Sequence, residues 1–255
     1  MCDVCGCAHA DVHVHVAGEI LHPETGRQVE VGRALLQQND REAEHNRAHF
    51  DAAHVLAVNL MSSPGAGKTS LLEATIRALK ARLSVAVIEG DLETENDARR
   101  IRAAGAPAVQ ITTGNACHLD ANMVHAALHT LDLRSIDVLF IENVGNLVCP
   151  AAFDLGQHRN VVLLSVTEGD DKPEKYPVMF RAADMMAITK LDLLAAVGDF
   201  DPALAKRHLR ELANGAPVLE ISARSGTGME AWIDWLIHEA ASRRPGSAHH
   251  GAAHG

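Results

Sequence analysis

Residues 62–69, with the sequence SSPGAGKT, constrain the fold of this 255-residue chain more than any other feature. An apolar run precedes this octapeptide and a helical pattern follows it. The octapeptide fits the phosphate-binding loop except that Ser62 replaces the first glycine. In such a loop, backbone N–H groups and the positive end of the following helix face a polyphosphate. A glycine-rich turn alone explains neither Lys68 nor Thr69, so we expect a nucleotide site here.

The parts of this loop have separate expected roles. We expect Lys68 to reach the β- and γ-phosphates of a nucleoside triphosphate and the Thr69 hydroxyl to bind Mg²⁺. The rest of the loop contributes backbone and hydroxyl groups. The nucleotide-binding residues predicted in this region are Ser63, Gly65, Ala66, Gly67, Lys68, Thr69 and Ser70.

The tetrapeptide TKLD, residues 189–192, follows a predicted strand, where open α/β sheets place ligand contacts. The Asp192 carboxylate can accept two hydrogen bonds from guanine, through N1–H and the exocyclic 2-amine. Adenine lacks this donor pair and would leave the carboxylate unpaired. We therefore predict GTP rather than ATP, with Lys190, Asp192 and the later Ser222, Ala223 and Arg224 around the base.

Two carboxylates that follow predicted strands are candidates for the hydrolytic apparatus. Asp91 ends the second strand and Glu142 ends the fourth, and either could hold Mg²⁺ directly or through water. Alternatively, Asp91 is a helix N-cap and Glu142 a turn residue. We assign the catalytic role to Lys68, Thr69, Asp91 and Glu142. Since no Gln or Arg stands out as a water-positioning or finger residue, we expect slow intrinsic turnover.

The pattern of the chain after residue 54 predicts an α/β fold, a P-loop NTPase with a mainly parallel sheet between helix layers. Short, continuously apolar runs alternate with helical stretches, as in βαβ units covered on both faces. Strands are predicted at 55–61, 84–90, 108–112, 137–144, 160–167, 183–189 and 216–222. Helices are predicted at 68–82, 95–104, 118–131, 202–213 and 230–242.

The segments on either side of this domain differ in composition. We predict a flexible, Cys- and His-containing metal-binding segment at 1–30 and a solvated linker helix at 31–54. The GTPase domain spans 55–242, and a disordered His-containing tail spans 243–255.

Charge and composition exclude several classes of partner. The net charge of −10 and the aromatic content of 3% argue against nucleic acid. No apolar run approaches the ~18 residues of a membrane span, and the N-terminus lacks the features of a signal peptide. We therefore expect a cytoplasmic protein, in which cysteines serve metal binding or catalysis rather than disulfides.

The cysteines form two candidate metal sites. Cys2, Cys5 and Cys7 can fold around one ion, and composition alone does not choose between Ni²⁺ and Zn²⁺. Cys117 and His118 follow the third strand and Cys149 follows the fourth, so a parallel sheet brings them to one edge. We also expect Cys117 to start a helix, which would lower the pKa of its thiol. The alternative for this pair of cysteines is unrelated burial.

The chain resembles the nickel-incorporation GTPases of NiFe-hydrogenase maturation, which belong to the SIMIBI class. The motifs that carry the resemblance are MCDVCGC, SSPGAGKTSLL, EGDLETENDA, GNACHLDANMV, IENVGNLVCP, EGDDKPEKYP and ITKLDLL. The resemblance implies a GTPase that forms a homodimer on GTP or metal binding and delivers Ni²⁺ to the hydrogenase large-subunit precursor with a zinc-binding accessory protein. It implies a tight nickel site at Cys2, Cys5 and Cys7 and a weaker site for nickel or zinc at Cys117, His118 and Cys149. It also makes Lys172 and Lys175 candidates for contacts across the dimer.

Three other functions remain open. A urease-type nickel-insertion GTPase is disfavoured, because its characteristic Cys-Pro-His is here the pair Cys117-His118. A P-loop metabolite kinase leaves Asp192 and the metal ligands unexplained. A passive zinc-stabilised binding module leaves the phosphate-binding loop unexplained.

Overall fold

The computed structural model describes residues 23–91, 95–114 and 116–244, with side chains from residue 34 onward. The proposed metal ligands Cys2, Cys5 and Cys7 lie outside the described residues, as does the tail from residue 245. The predicted segment 1–30 is described only from Pro23.

A parallel sheet of seven strands forms the centre of the described chain, in the order β3-β2-β4-β1-β5-β6-β7. The strands are β1 (Leu56–Ser62), β2 (Val85–Asp91), β3 (Ala108–Thr112), β4 (Val138–Glu142), β5 (Arg159–Ser165), β6 (Met185–Thr189) and β7 (Val218–Glu220). The predicted α/β fold and the seven strands are thus confirmed, with shifts of a few residues at their ends. Continuous apolar runs gave the right answer because helices cover both faces of the inner strands.

The α-helices of the described chain are α1 (Pro23–Ala53), α2 (Lys68–Leu79), α3 (Asn96–Ala104), α4 (Ala121–Leu128), α5 (Lys172–Lys175), α6 (Pro177–Arg181), α7 (Leu194–Val197), α8 (Pro202–Glu211) and α9 (Met229–Ala241). The five long helices predicted after residue 54 are α2, α3, α4, α8 and α9. The three helices of four or five residues, α5 to α7, were not predicted, because one helical turn carries no periodic signal.

The helices form layers on the two faces of the sheet. On one face α2 and α9 pack against β1 and β4, with Trp232 and Leu72 fully buried. The indole N–H of Trp232 donates a hydrogen bond of 2.8 Å to Thr75 Oγ1, which satisfies both groups in the core. On the other face α1 and α4 cover the sheet, with Phe50 and Val124 fully buried.

Helix α1 differs from the predicted solvated linker. It begins at Pro23 rather than at residue 31, with proline in the first turn, where its missing N–H has no intrahelical acceptor. Its C-terminal half is docked on the domain, because Ala43 and Phe50 are fully buried. The side chain of Asn46, also fully buried, donates hydrogen bonds to Ala121 O (2.8 Å) and Leu155 O (3.2 Å). The sparse apolar positions of this helix therefore mark a narrow packed face.

The expectation that Cys117 starts a helix is wrong. Helix α4 begins at Ala121, and its N-cap is Asp120, whose carboxylate accepts a hydrogen bond of 2.8 Å from Met123 N. Asp120 offers the side-chain acceptor that an N-terminus requires, and Cys117 does not. Cys117 lies in the preceding loop rather than at the helix N-terminus.

None of the helices in residues 23–91, 95–114 and 116–244 combines the length and apolarity that crossing a membrane requires.

The docking of α1 predicts the effect of Asn46→Ala. This change leaves the carbonyls of Ala121 and Leu155 without their buried donor and should lower the free energy of unfolding by about 1–3 kcal/mol. Gln38→Ala removes an exposed amide from the same helix and should change stability by less than about 0.5 kcal/mol. Urea unfolding of both variants measures the difference, and equal midpoints would show that Asn46 does not anchor the helix.

Candidate nucleotide and metal site

The phosphate-binding loop connects the end of β1 to the start of α2. Gly65 (φ 76°) and Gly67 (φ 97°) adopt left-handed backbone conformations that favour glycine. Lys68 is buried, and its Nζ donates a hydrogen bond of 3.0 Å to Ser62 Oγ. Ser62, which departs from the usual glycine, is fully buried and holds the ammonium at the base of the loop. The Oγ of Ser63 is buried without a hydrogen-bond partner among the described residues, so it is available to a ligand.

Thr69 and Glu142 are brought together by the pairing of β1 with β4. The hydroxyl of Thr69 donates a hydrogen bond of 3.0 Å to Glu142 Oε1, and both residues are buried. Hydroxyl and carboxylate oxygens are the ligands that Mg²⁺ prefers. The donor set at this point therefore fits Mg²⁺ beside the phosphates.

A second buried carboxyl group, Glu89, pairs with Glu142 across the sheet and was not predicted. The two residues are in register on β2 and β4, and Glu89 is only 1% exposed. Burial and the charge of Glu142 raise the pKa of Glu89 to about 10. Burial also raises the pKa of Glu142, and the ammonium of Lys68 opposes that rise. We therefore expect Glu89, beside Glu142, to keep its proton at neutral pH. An acidic residue inside a buried strand was the available sequence signal.

Asp91 ends β2 at the carboxyl edge of the sheet and is half-buried. The alternative that it caps the next helix is wrong, because α3 begins at Asn96 and its N-cap is Glu95. The carbonyl of Asp91 accepts a hydrogen bond of 2.9 Å from Thr113 N. Asp91 therefore stands at the edge where the phosphate-binding loop lies.

A cavity of about 180 Å³ lies between the phosphate-binding loop and the loops after β6 and β7. The predicted base-site residues that line it are Lys190, Asp192, Ala223 and Arg224, together with Ala66, Gly67 and Ser70 from the phosphate-binding loop. Asp192 Oδ1 accepts a hydrogen bond of 2.6 Å from the hydroxyl of Ser222. Ser222 is fully buried and does not line the cavity, so it positions Asp192 from behind.

Thr189 joins the base end of this cavity to the phosphate end. Its hydroxyl donates a hydrogen bond of 2.6 Å to Ala66 O, in the phosphate-binding loop. Lys190 follows in the left-handed region (φ 58°), and its Cε comes within 3.9 Å of the point that a Cβ on Gly67 would occupy. The residues predicted to bind the base and the phosphates therefore surround one site.

The predicted ligands Cys117, His118 and Cys149 also meet. One ligand atom from each lies within 4.8 Å of the other two, and Cys117 Sγ is 3.8 Å from His118 Nδ1. The His118 ring is 4% exposed and stacks on Phe153, with ring centroids 3.9 Å apart. Burial lowers the pKa of His118, which keeps the imidazole neutral and able to bind a metal.

The loop between Glu142 and Cys149 touches the phosphate-binding loop. A Cβ added to Gly145 would lie 2.8 Å from Pro64 Cα, so the two backbones are in direct contact. Asn143 Oδ1 accepts a hydrogen bond of 3.1 Å from Leu119 N, and Asn146 Nδ2 donates one of 3.4 Å to Cys117 O. Hydrogen bonds and backbone contact thus connect both loops of the Cys117–His118–Cys149 cluster to the nucleotide site.

Lys172 and Lys175 lie on α5. The ammonium of Lys175 forms an ion pair with Asp171, and Lys172 Nζ lies 5.3 Å from the centroid of the Tyr176 ring. Their contribution across a dimer stays a prediction.

The sequence profile of the CobW/HypB/UreG nucleotide-binding domain matches residues 56–220. The chain is 53% identical, over 217 residues, to the hydrogenase maturation factor HypB of Azotobacter vinelandii, a match that covers 85% of this chain and 71% of that protein.

Two solved structures are also similar. HypB from Helicobacter pylori in complex with nickel has a TM-score of 0.77 and 40% identity, covering 80% of this chain and 96% of that one. The hydrogenase maturation factor HypB from Archaeoglobus fulgidus has a TM-score of 0.75 and 41% identity, and the match covers 80% of this chain and 100% of that one.

The contact between Gly145 and Pro64 predicts the effect of Gly145→Ala. The added methyl group overlaps backbone atoms, so the phosphate-binding loop must shift, and we expect nucleoside triphosphate affinity to fall by about tenfold or more. A fluorescent nucleotide titration measures this change. Gly215→Ala is the matched control, because a Cβ there has open space and no positive φ opposes it. Equal affinities of the two variants would contradict the proposed tight contact.

Proposed function

Because the chain belongs to the CobW/HypB/UreG family and, within it, to the HypB hydrogenase maturation factors, we propose that it is a GTP-hydrolysing nickel metallochaperone. One observation carries this proposal. The segment from Glu142 to Cys149 joins the nucleotide site to a cluster of three metal-ligand side chains, and it contacts the phosphate-binding loop on the way.

The nucleotide in this proposal is GTP. Asp192 is held by the Ser222 hydroxyl in the cavity beside the phosphate-binding loop, where its carboxylate accepts hydrogen bonds from the guanine edge. Adenine lacks this pair of donors and cannot make the same two hydrogen bonds. Lys190 packs beside Gly67 of that loop, where its side chain would cover the base.

Hydrolysis to GDP and phosphate depends on residues at the carboxyl edge of the sheet. When the nucleotide binds, the ammonium of Lys68 gives up its hydrogen bond to Ser62 and contacts the β- and γ-phosphates instead. The backbone amides from Gly65 to Lys68 donate to the other phosphate oxygens. Bound Mg²⁺ supplies positive charge that stabilises the transferring phosphoryl group. Thr69 and Glu142 would hold that ion, and Asp91, which ends β2 at the same edge of the sheet, is the further candidate ligand. The raised pKa of Glu89 keeps a second negative charge away from Glu142.

The nickel cargo binds at Cys117, His118 and Cys149. Two thiolates and an imidazole suit Ni²⁺ and Zn²⁺ and leave an open position for exchange. The nickel complex of the Helicobacter pylori relative supports nickel as the physiological metal. Cys2, Cys5 and Cys7 form a second, tighter site that holds the ion before transfer.

Delivery requires partners. We include in the proposal a homodimer formed on GTP or metal binding, a zinc-binding hydrogenase accessory protein and the hydrogenase large-subunit precursor. Val148 is 58% exposed beside Cys149, so an apolar side chain adjoins the metal cluster and is available to a second subunit.

The role of Asp192 predicts that Asp192→Asn loses guanine selectivity. The amide replaces one acceptor oxygen with a donor, so the preference for GTP over ATP should fall by about tenfold or more. Competition of each nucleotide against a fluorescent analogue measures the ratio. Asp199→Asn, which changes an exposed aspartate outside the cavity, should keep the original preference. An unchanged ratio in Asp192→Asn would remove this residue from base recognition.

Coupling between nucleotide and metal predicts a nickel affinity that differs between the GDP form and the form bound to a GTP analogue. The difference should be several-fold, measured by competitive titration of reduced chain with Cys2, Cys5 and Cys7 changed to Ser. Lys68→Ala should retain nickel binding and lose the difference, whereas Cys149→Ser should lose the site. Identical affinities in both nucleotide forms would overturn direct coupling at equilibrium.

A further inference from the structure

A second group of metal-ligand side chains lies near the C-terminal end of α4. His45 and His49 are one turn apart on α1, and His125 lies in the last turn of α4. One ring nitrogen from each lies within 4.8 Å of those of the other two. His118 precedes α4 and His125 lies near its end, so this histidine cluster is distinct from the Cys117–His118–Cys149 cluster.

The two helices hold these rings in a fixed relation. Asn46, between His45 and His49, is fully buried and bonded to the carbonyls of Ala121 and Leu155. Asn39, which lies earlier on α1, accepts a hydrogen bond of 2.9 Å from Ala121 N through its Oδ1. Asn39 and Asn46 therefore both bond α1 to Ala121, the first residue of α4, so little ordering is needed on binding an ion.

The hydrogen bonds of Asn46 also set the protonation of His125. Since Asn46 Nδ2 donates to two carbonyls, its Oδ1 faces His125 Nδ1 at 3.0 Å and must accept. His125 Nδ1 therefore donates to Asn46, and in the neutral ring Nε2 carries the lone pair that a metal requires.

Glu42 orients two of the rings. Its Oε1 lies 3.4 Å from Nδ1 of His45 and 3.4 Å from Nδ1 of His125. A carboxylate that accepts from the non-ligating nitrogen of a histidine is the usual outer partner of a metal-bound imidazole. It also supplies negative charge next to a divalent cation.

His129 adds a fourth imidazole. Its Nε2 is 3.2 Å from Nε2 of His125. Two ligands on one tetrahedral ion are about 3.3 Å apart when the metal–nitrogen bonds are about 2.0–2.1 Å. In the ion-free protein this contact is a hydrogen bond between the two rings, and its length is close to the spacing of two ligands on one ion. His45, His49 and His129 are exposed, so an ion can enter from solvent.

We propose that His45, His49 and His125, with His129 beside them, bind a divalent late transition-metal ion of the kind that prefers imidazole, such as Zn²⁺ or Ni²⁺. The ion joins α1 to α4. Because α1 follows the N-terminal cysteine segment in the chain, an ion bound here holds in place the helix that comes after that segment.

The test uses Zn²⁺ alone and the full chain with its five cysteines changed to Ser, which removes the thiolate sites. Equilibrium dialysis should detect one ion bound through these histidines. His49→Gln, which keeps a polar side chain and removes a ligand, should weaken that binding at least tenfold. His238→Gln is the matched control, since it removes an exposed histidine of α9 outside the cluster and should leave binding unchanged.

Two further measurements keep the proposal testable if the cysteine-free chain does not fold. In the native chain, His49→Gln should lower the number of Zn²⁺ ions bound by one, relative to His238→Gln. Zn²⁺ should also raise the Tm of His238→Gln more than that of His49→Gln, because binding to the folded state stabilises it. Equal ion counts, affinities and Tm shifts in the two variants would overturn the site.

Discussion

The parallel pairing of β1 with β4 is the constraint on which the rest of the structure depends. Leu60 lies opposite Glu142, so both strands end at the same edge of the sheet. The phosphate-binding loop leaves one strand there, and the segment toward Cys149 leaves the other. The contact between Thr69 and Glu142 and the contact between Gly145 and Pro64 both follow from this register. A shift by one residue would turn Glu142 to the opposite face and separate all of these groups.

A small group of buried ionisable side chains lies at this edge of the sheet. Lys68 and Glu142 are buried close to each other, and Glu89 beside them keeps its proton. Two ionised carboxylates buried side by side would repel each other in a low-dielectric environment, which is one reason why the pKa of Glu89 is raised. The carboxyl pair and the ammonium of Lys68 lie at the end of the sheet where we propose that a magnesium nucleotide binds.

Helix α1 shows how a polar segment becomes part of a domain. Its mean composition is hydrophilic, yet four residues, Asn39, Ala43, Asn46 and Phe50, are at most 3% exposed. Two of them are asparagines that bond to backbone groups of α4 and of the loop before β5. Docking therefore depends on hydrogen bonds as much as on apolar area, and it brings His45 and His49 to His125.

The sequence by itself determined the elements and the chemistry of each loop. SSPGAGKT after an apolar run, TKLD after another and the paired motifs at Cys117 and Cys149 predicted the fold and the groups at the carboxyl edge, because parallel strands bring their loops to one side. Only the tertiary structure decided which groups touch. It showed that Ser222 lies behind Asp192, that Cys117 precedes its helix by several residues and that Glu89 pairs with Glu142. It also joined α1 to α4 through Asn46. Spacing along one strand or helix can be read from local periodicity, whereas contacts between residues 30 or more positions apart depend on how the layers pack.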